Sequence, residues 1–166
     1  MFHNSFTMKA ILKSTVPPLL VLLFVYAAFS KLFTFSDFDQ QLHNQSFPGW
    51  LADFLLYLLI PVEIITALLL CFRRTMLSGL SLSAALLLAF TTYIALVMLH
   101  FWERVPCSCG GILSQMGWTA HLIFNSIFLI LNLIALYLYT AERKGFNKLN
   151  IIINNLTGEA ENLRKE

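Results

Sequence analysis

The fold of this chain is decided by residues 51–72, which read LADFLLYLLIPVEIITALLLCF. The run is close to the roughly 20 residues that an α-helix needs to cross a hydrocarbon layer of about 30 Å. A helix is the expected conformation, because backbone groups that lack hydrogen bonds are too costly in lipid. Residues 51–72 are therefore predicted to form a transmembrane helix.

Three further apolar runs have a similar length and lie at residues 15–33, 76–101 and 119–139. The composition agrees with them, since 58% of the 166 residues are hydrophobic and only 12% are charged, whereas soluble domains carry about 25% charged residues. The sequence therefore predicts an all-α membrane protein, a four-transmembrane-helix bundle embedded in the lipid bilayer. The net charge of +2 indicates no nucleic-acid partner.

The chain is expected to form one domain, because no linker, repeat or low-complexity segment interrupts the apolar runs. We predict a transmembrane domain at residues 1–144 and a polar cytoplasmic tail at residues 145–166 that is ordered only in part. A secretory signal peptide is the competing interpretation of residues 15–33. That run is long for a signal peptide, and its removal would leave an odd number of helices.

The orientation follows from the basic residues, which gather at one end of the predicted helices. They are Lys9, Lys13, Arg73, Arg74, Arg143, Lys144 and Lys148. The two other connections between helices hold few basic residues. Residues 34–50 contain no Lys or Arg, and residues 103–118 contain only Arg104. The positive-inside rule then predicts that both termini are cytoplasmic and that residues 103–118 face outward.

The outward connection carries the most informative motif, VPCSCGG at residues 105–111. Two thiols one residue apart can close a strained, labile disulfide, or one can attack a partner while the other resolves the product. The outward face is also where disulfide chemistry is normal. Cys107 and Cys109 are therefore candidate catalytic residues. A structural disulfide or two free thiols are the alternatives that the residues leave open, and Cys71 is interpreted as an inert thiol.

A metal site is a second interpretation of the same loop. Two thiolates and two imidazoles, from Cys107, Cys109, His100 and His121, would suit tetrahedral zinc or copper. The single residue between the cysteines is shorter than the spacing of common zinc modules. We therefore expect no metal site.

Glu63 is unusual because its carboxylate falls well inside a predicted transmembrane helix. A charge at the bilayer centre costs at least about 2.5–3.5 kcal/mol, so such a group faces the bundle interior or is protonated. Lys31, near the outward end of the first helix, is the nearest plausible cation. A structural Lys31–Glu63 pair is the expected role, and proton handling is the functional alternative.

Polar and small residues in the third and fourth helices predict contacts between helices. Asn125 and Asn132 lie seven residues apart on one face, with His121 one turn before Asn125. Such a stripe supplies interhelical hydrogen bonds; the alternative is a pocket for a membrane quinone, with His121 and Asn125 as candidate ligands. Residues 78–85 are rich in Gly, Ala and Ser, which is typical of close helix packing.

Four elements occur in an order that resembles a known family. They are Ser30-Lys31-Leu32, Pro61-x-Glu63, the segment Cys107-Ser108-Cys109-Gly110-Gly111, and Met116-Gly117-Trp118 followed by Asn125. Together they resemble the MauE branch of the DoxX-like membrane proteins, named for methylamine utilisation, over residues 16–139. Many members have an aromatic residue before the glycine that follows the second cysteine, where this chain has Gly110-Gly111. This difference from the family pattern concerns the identity of the substrate more than the redox role of the cysteine pair.

The resemblance implies a four-helix bundle of the bacterial inner membrane linked to thiol redox chemistry outside the cytoplasm. Its name-giving members are thought to assist disulfide formation in methylamine dehydrogenase. By similarity, Cys107 and Cys109 are the redox pair, with Lys31, Glu63 and Asn125 as polar membrane residues. The leading hypothesis is thus a thiol–disulfide oxidoreductase that acts on an extracytoplasmic thiol protein and passes electrons to or from a membrane quinone or a second thiol protein. A non-enzymatic assembly subunit with a structural disulfide is the alternative.

Overall fold

A computed structural model describes residues 2–45, 48–99 and 117–165, and these ranges are helical almost throughout. Their five helices are α1 (Phe2–Phe33), α2 (Phe35–His43), α3 (Gly49–Cys71), α4 (Met76–Met98) and α5 (Trp118–Lys165). The described ranges contain no strand. Four of the helices are long and apolar enough to cross a membrane, and only α2 is not. The prediction of an all-α, four-helix membrane bundle is confirmed.

The four long helices form a ring in which α1 packs against α3 and α5, and α4 also packs against α3 and α5. Most of the buried residues inside the ring are apolar, among them Leu20, Leu70, Leu80 and Ala135. Large apolar residues also cover the outside, where Leu22 is 66% exposed. Such a surface is unfavourable in water and suits lipid, because lipid tails are as apolar as the side chains.

Gly79 sets the distance between α3 and α4. A Cβ atom at this position would lie 2.9 Å from the backbone nitrogen of Leu70 and 3.0 Å from the backbone carbon of Leu69. The Thr75 hydroxyl donates a 2.8 Å hydrogen bond to the Leu69 carbonyl, so the tight connection satisfies one of the free carbonyls at the end of α3. The close packing expected from residues 78–85 is therefore present at Gly79.

The first helix begins at Phe2 rather than near residue 15, and it continues through Pro17 and Pro18. The predicted start marked the beginning of the apolar run, which need not coincide with the beginning of the helix. Pro17 has no N–H to bond the Lys13 carbonyl one turn earlier. The Tyr139 hydroxyl of α5 donates a 3.2 Å hydrogen bond to that carbonyl, which helps α1 to remain helical there.

The last helix also exceeds its predicted length, because α5 runs to Lys165 instead of ending near residue 139. Hydropathy marks where a helix leaves the lipid, whereas the backbone hydrogen bonds of a helix can continue into water. The other boundaries differ little: α3 covers Gly49–Cys71 against a predicted 51–72. Helix α4 ends at Met98, and residues 100–101 of its predicted span lie outside the described residues.

The short helix α2 was missed by the sequence analysis, which treated residues 34–50 as a loop. Nine residues are too few for a transmembrane span, so a search for long apolar runs passes over them. One face of α2 is nevertheless apolar, since Phe38 and Leu42 are buried with Ala28 of α1 and Leu56 of α3. The spacing of four residues between Phe38 and Leu42 is the signal that could have indicated this helix.

The exposed face of α2 is tied to α3 by His43. The Nδ1 atom of His43 lies 3.0 Å from the backbone oxygen of Asp39, and its Nε2 atom lies 3.2 Å from the carboxylate of Asp53. The hydrogen bond to the Asp39 backbone, together with the charges of Asp39 and Asp53, raises the pKa of His43 above its ordinary value. The surroundings of His43 in the folded chain therefore favour its protonated form more than water does.

We expect Gly79→Ala to lower the free energy of unfolding by about 1–3 kcal/mol, because the new methyl group would press on the backbone of α3. Gly145→Ala is the matched control, since nothing lies within 4 Å of its Cβ position; there the helical propensity of Ala should leave stability unchanged or higher. Thermal unfolding in detergent micelles, followed by circular dichroism, compares the two variants. Equal melting temperatures for both would contradict the close approach.

His43 should titrate above about 6.5 when followed by NMR, because its folded-state pKa is raised. Since the folded pKa is the higher one, the stability that His43 adds to α2 is present below about pH 6.5 and is lost as the pH rises through the folded value. Asp53→Asn should move the pKa back toward its ordinary value. Asp37→Asn, on the same short helix, is the control that should leave it unchanged.

Candidate functional site

A buried ion pair joins α1 to α3. The Lys31 ammonium donates a 2.7 Å hydrogen bond to Oε1 of Glu63, and the two side chains are 15% and 1% exposed. The same ammonium donates to the Ala27 carbonyl at 3.3 Å, so Lys31 turns back along its own helix. Side chains of a helix lean toward its N-terminus, and this direction brings Lys31 to Glu63. The predicted pairing is present.

Helix α2 covers this pair. The Lys31 ammonium lies 5.8 Å from the centre of the Phe38 ring, a distance at which the ring face attracts a cation. Phe38 is only 1% exposed and packs with Leu42 against α1 and α3. The apolar side chains of α2 therefore lie between the ion pair and the end of the bundle.

One oxygen of Glu63 is not used by the pair. Among the residues that the structure describes, Oε2 of Glu63 has no hydrogen-bond partner. An unsatisfied buried acceptor costs about 1–3 kcal/mol, and more where the group is charged. Glu63 therefore has a free position at which a proton or a hydrogen-bond donor can bind.

The two asparagines of the polar stripe on α5, Asn125 and Asn132, differ in what the structure shows of their surroundings. Asn132 is fully buried and donates a 2.6 Å hydrogen bond to the Ser83 hydroxyl of α4. Ser83 in turn donates to the Leu80 carbonyl at 3.0 Å. Asn132 thus has the interhelical role that the sequence predicted. Asn125, which lies two turns closer to the start of α5, is 6% exposed.

His121 lies in the first turn of α5 and is half-buried. The Lys31 ammonium is close enough to act on it electrostatically. Lys31 therefore contacts Glu63 directly and acts on His121 only through its charge. Three of the candidate residues lie near one end of the bundle, which we call the Lys31 end. It comprises the end of α1, helix α2, and the start of α3, together with the end of α4 and the start of α5.

The candidate catalytic cysteines, Cys107 and Cys109, lie outside the described residues, as does His100. They fall between the end of α4 at Met98 and the start of α5 at Trp118. Within the described ranges, no three His, Cys, Asp or Glu side chains are grouped so that they could hold a metal ion. A metal site that includes His100, Cys107 and Cys109 is not tested by this observation.

A second polar group lies at the opposite end, which we call the Lys13 end. Lys13 forms an ion pair with Glu142 of α5, and its ammonium lies 5.0 Å from the centre of the Tyr139 ring. A cavity of about 420 Å³ opens beside Lys13, Leu70 and Cys71. Cys71 is exposed here, with a free thiol. Sequence reasoning had not paired Lys13 with Glu142, because charges near the ends of transmembrane helices are common and nothing in the sequence marks these two as partners.

The comparisons with known proteins gave one match. The family model described as "Methylamine utilisation protein MauE" matches residues 9–138. This range includes most of α1, all of α2, α3 and α4, and α5 as far as residue 138. No curated protein and no solved structure matches the chain. The matched range contains the Lys31–Glu63 pair, His121, Asn125, Cys107 and Cys109.

We expect Glu63→Leu to lower the free energy of unfolding by about 3–5 kcal/mol, because it leaves the Lys31 ammonium without its partner. Adding Lys31→Met in the same chain should restore most of the lost free energy of unfolding, since no uncompensated charge then remains. Glu142→Gln, which removes the partner of Lys13 at an exposed position, is the control and should cost less than about 1 kcal/mol. Unfolding in micelles measures all three. If Glu63→Leu cost no more than Glu142→Gln, the pair would not stabilise the bundle.

Proposed function

The chain belongs to the MauE family of methylamine utilisation proteins, and on this basis we propose that it is a thiol–disulfide oxidoreductase of the bacterial inner membrane. In this proposal, Cys107 and Cys109 exchange a disulfide with an extracytoplasmic protein that takes part in methylamine utilisation. The observation that carries the proposal is the family match over a range whose sequence contains the Cys-x-Cys pair together with Lys31 and Glu63. The four apolar helices make the chain a multi-pass membrane protein.

The proposed orientation has both termini in the cytoplasm. Lys13 and the Arg73–Arg74 turn belong to one end of the bundle, whereas no Lys or Arg lies between α1 and α3 in residues 34–50. This asymmetry supports a cytoplasmic Lys13 end and an outward Lys31 end. Residues 99–117 connect α4 to α5 at the Lys31 end, which supports an extracytoplasmic location for Cys107 and Cys109.

The exchange step moves one disulfide between two proteins. A thiolate of the partner attacks the Cys107–Cys109 bond, forming a mixed disulfide and releasing one thiolate of the pair. The second partner thiolate then displaces the remaining cysteine. The partner loses two electrons and two protons and gains a disulfide, while Cys107 and Cys109 gain them as a dithiol.

Regeneration of the disulfide needs a two-electron acceptor, for which we propose a membrane quinone. When bound, a quinone would take up the two electrons and two protons of the dithiol. His121 and Asn125 would hold it, because a ring N–H and an amide N–H are donors for quinone carbonyl oxygens. The two side chains lie one turn apart on α5, and the burial of Asn125 suits an apolar ring.

Glu63 is proposed to hold a proton during this cycle. Its Oε2 atom is buried and has no partner among the described residues, so protonation there breaks no hydrogen bond in the described ranges. The Lys31 ammonium would balance the negative charge of the Glu63 carboxylate when the proton leaves, since its Nζ atom lies 2.7 Å from Oε1. The charge of Lys31 also acts electrostatically on His121, one of the proposed quinone ligands.

Thiol trapping in intact cells tests the proposal. Cells are quenched with acid and alkylated with a mass-adding maleimide, and wild type is compared with Cys107→Ser and Cys109→Ser. We expect wild type to contain both dithiol and disulfide forms. One single variant should accumulate a mixed disulfide with the partner, because its remaining thiolate can attack the partner's disulfide in the reverse of the exchange step and no second cysteine is left to release the partner. Cys71→Ser is the matched control, since it removes the cysteine at the other end of the bundle and should leave the redox forms unchanged.

The thiol-trapping experiment can also contradict the proposal. A Cys107–Cys109 bond that is fully formed, resists mild reductant and gives no mixed disulfide in either variant would exclude exchange. The chain would then be a non-enzymatic assembly subunit whose disulfide stabilises the loop between α4 and α5.

A further inference from the structure

Helix α5 extends well beyond the lipid. It contains 48 residues, which at 1.5 Å per residue gives a length of about 72 Å. A bilayer with its headgroup regions is about 40–45 Å thick, so a helix that begins at its outer boundary emerges after roughly 30 residues. Counted from Trp118, the part of α5 after about residue 148 therefore lies in water. This part also lies beyond residue 138, where the family match ends.

The part of α5 from Phe146 onward carries exposed apolar residues, some of which repeat at a regular spacing; Ile151 and Ile152 are also exposed but lie outside that repeat. Phe146, Leu149 and Ile153 are 63%, 53% and 47% exposed, and they are spaced three and four residues apart. In the sequence, the same alternation of three and four continues to Leu156, Ala160 and Leu163. This is the spacing of the a and d positions of a heptad repeat, which forms the seam between supercoiled helices.

The identities at these positions favour two parallel strands. Every d position is Leu: Leu149, Leu156 and Leu163. The central a position is the β-branched Ile153, and the two outer a positions are Phe146 and Ala160. A β-branched residue at a with Leu at d favours parallel dimers. In the sequence Glu159 falls at a g position and Arg164 at the following e position, and these two positions face each other across a parallel dimer. The opposite charges are complementary.

The membrane supplies the parallel orientation. Two copies that insert with the same topology send their α5 helices out on the same side and in the same direction. No part of the chain has to rearrange for the two segments to meet. Pairing would also remove Leu149 and Ile153 from water, whereas a single α5 leaves them exposed.

We propose that residues 146–165 form a parallel two-stranded coiled coil with the same segment of a second copy, so that the protein is a homodimer held together at its C-terminal helix. The surface involved is separate from the cysteine loop, and the proposal does not depend on the redox function. A helix that lies on the membrane surface would instead bury the same apolar residues in lipid, and the experiment distinguishes these arrangements.

Disulfide cross-linking in membranes tests the dimer. In a Cys71→Ser chain, Leu149→Cys and Ile153→Cys place a thiol at d and a positions, and Ile151→Cys, at an f position, is the matched control with 61% exposure. Mild oxidation should shift most of the Leu149→Cys and Ile153→Cys protein from 18.9 kDa to twice that mass. Ile151→Cys and the parent chain should stay monomeric. Equal cross-linking at all three positions, or none at residues 149 and 153, would overturn the proposal.

Co-purification of two differently tagged copies gives an independent readout. Ile153→Glu in both copies should abolish co-purification, because it places two like charges in the seam, whereas Ile151→Glu should retain it. The circular dichroism of both variants in micelles checks that the bundle remains folded. Co-purification that survives Ile153→Glu in a folded protein would show that any dimer uses another surface.

Discussion

The structure depends on a constraint that lipid imposes: a charge inside the bundle needs a partner at the same depth. Lys31 and Glu63 meet this requirement with a 2.7 Å contact. Because α1 and α3 can slide along each other only by separating these charges, the pair fixes their relative height. An apolar contact would tolerate such a shift more easily, since lipid tails and Leu side chains offer similar surroundings. The pair therefore specifies the arrangement as well as contributing to its stability.

Other features of the Lys31 end follow from this pair. Helix α2 adds Phe38 as a cover, so the ammonium is shielded from water and also attracted by the ring. Asn132 donates a hydrogen bond to Ser83 between α4 and α5. In the described part of the chain, Oδ1 of Asn132 is left without a partner, and so is Oε2 of Glu63, which differs from it in being ionisable. A group held this firmly with one open position suits reversible proton binding better than further packing.

The sequence predicted the parts of the fold that rest on hydropathy and on rare residues. Four apolar runs gave the four long helices, and the isolation of Lys31 and Glu63 among apolar residues predicted their pairing. It did not predict α2, because nine residues with one apolar face resemble a polar loop when only long runs are sought. Nor did it predict the hydrogen bond from Tyr139 to the Lys13 carbonyl, since nothing local in the sequence says which distant side chain will replace the N–H that Pro17 lacks.

Helix α5 links the two ends of the molecule in one continuous element. It begins directly after the connection that carries Cys107 and Cys109, and it then contributes His121, Asn132 and Tyr139 to successive levels of the bundle. The hydrogen bonds of Asn132 and Tyr139 attach it to α4 and to α1, so its height in the bundle is fixed at two levels. Because the same helix continues beyond the lipid, pairing of its exposed end with a second copy would set the separation of two bundles without involving the connection between α4 and α5 in either copy. The chemistry proposed at one end and the association proposed at the other can therefore operate independently within one short chain.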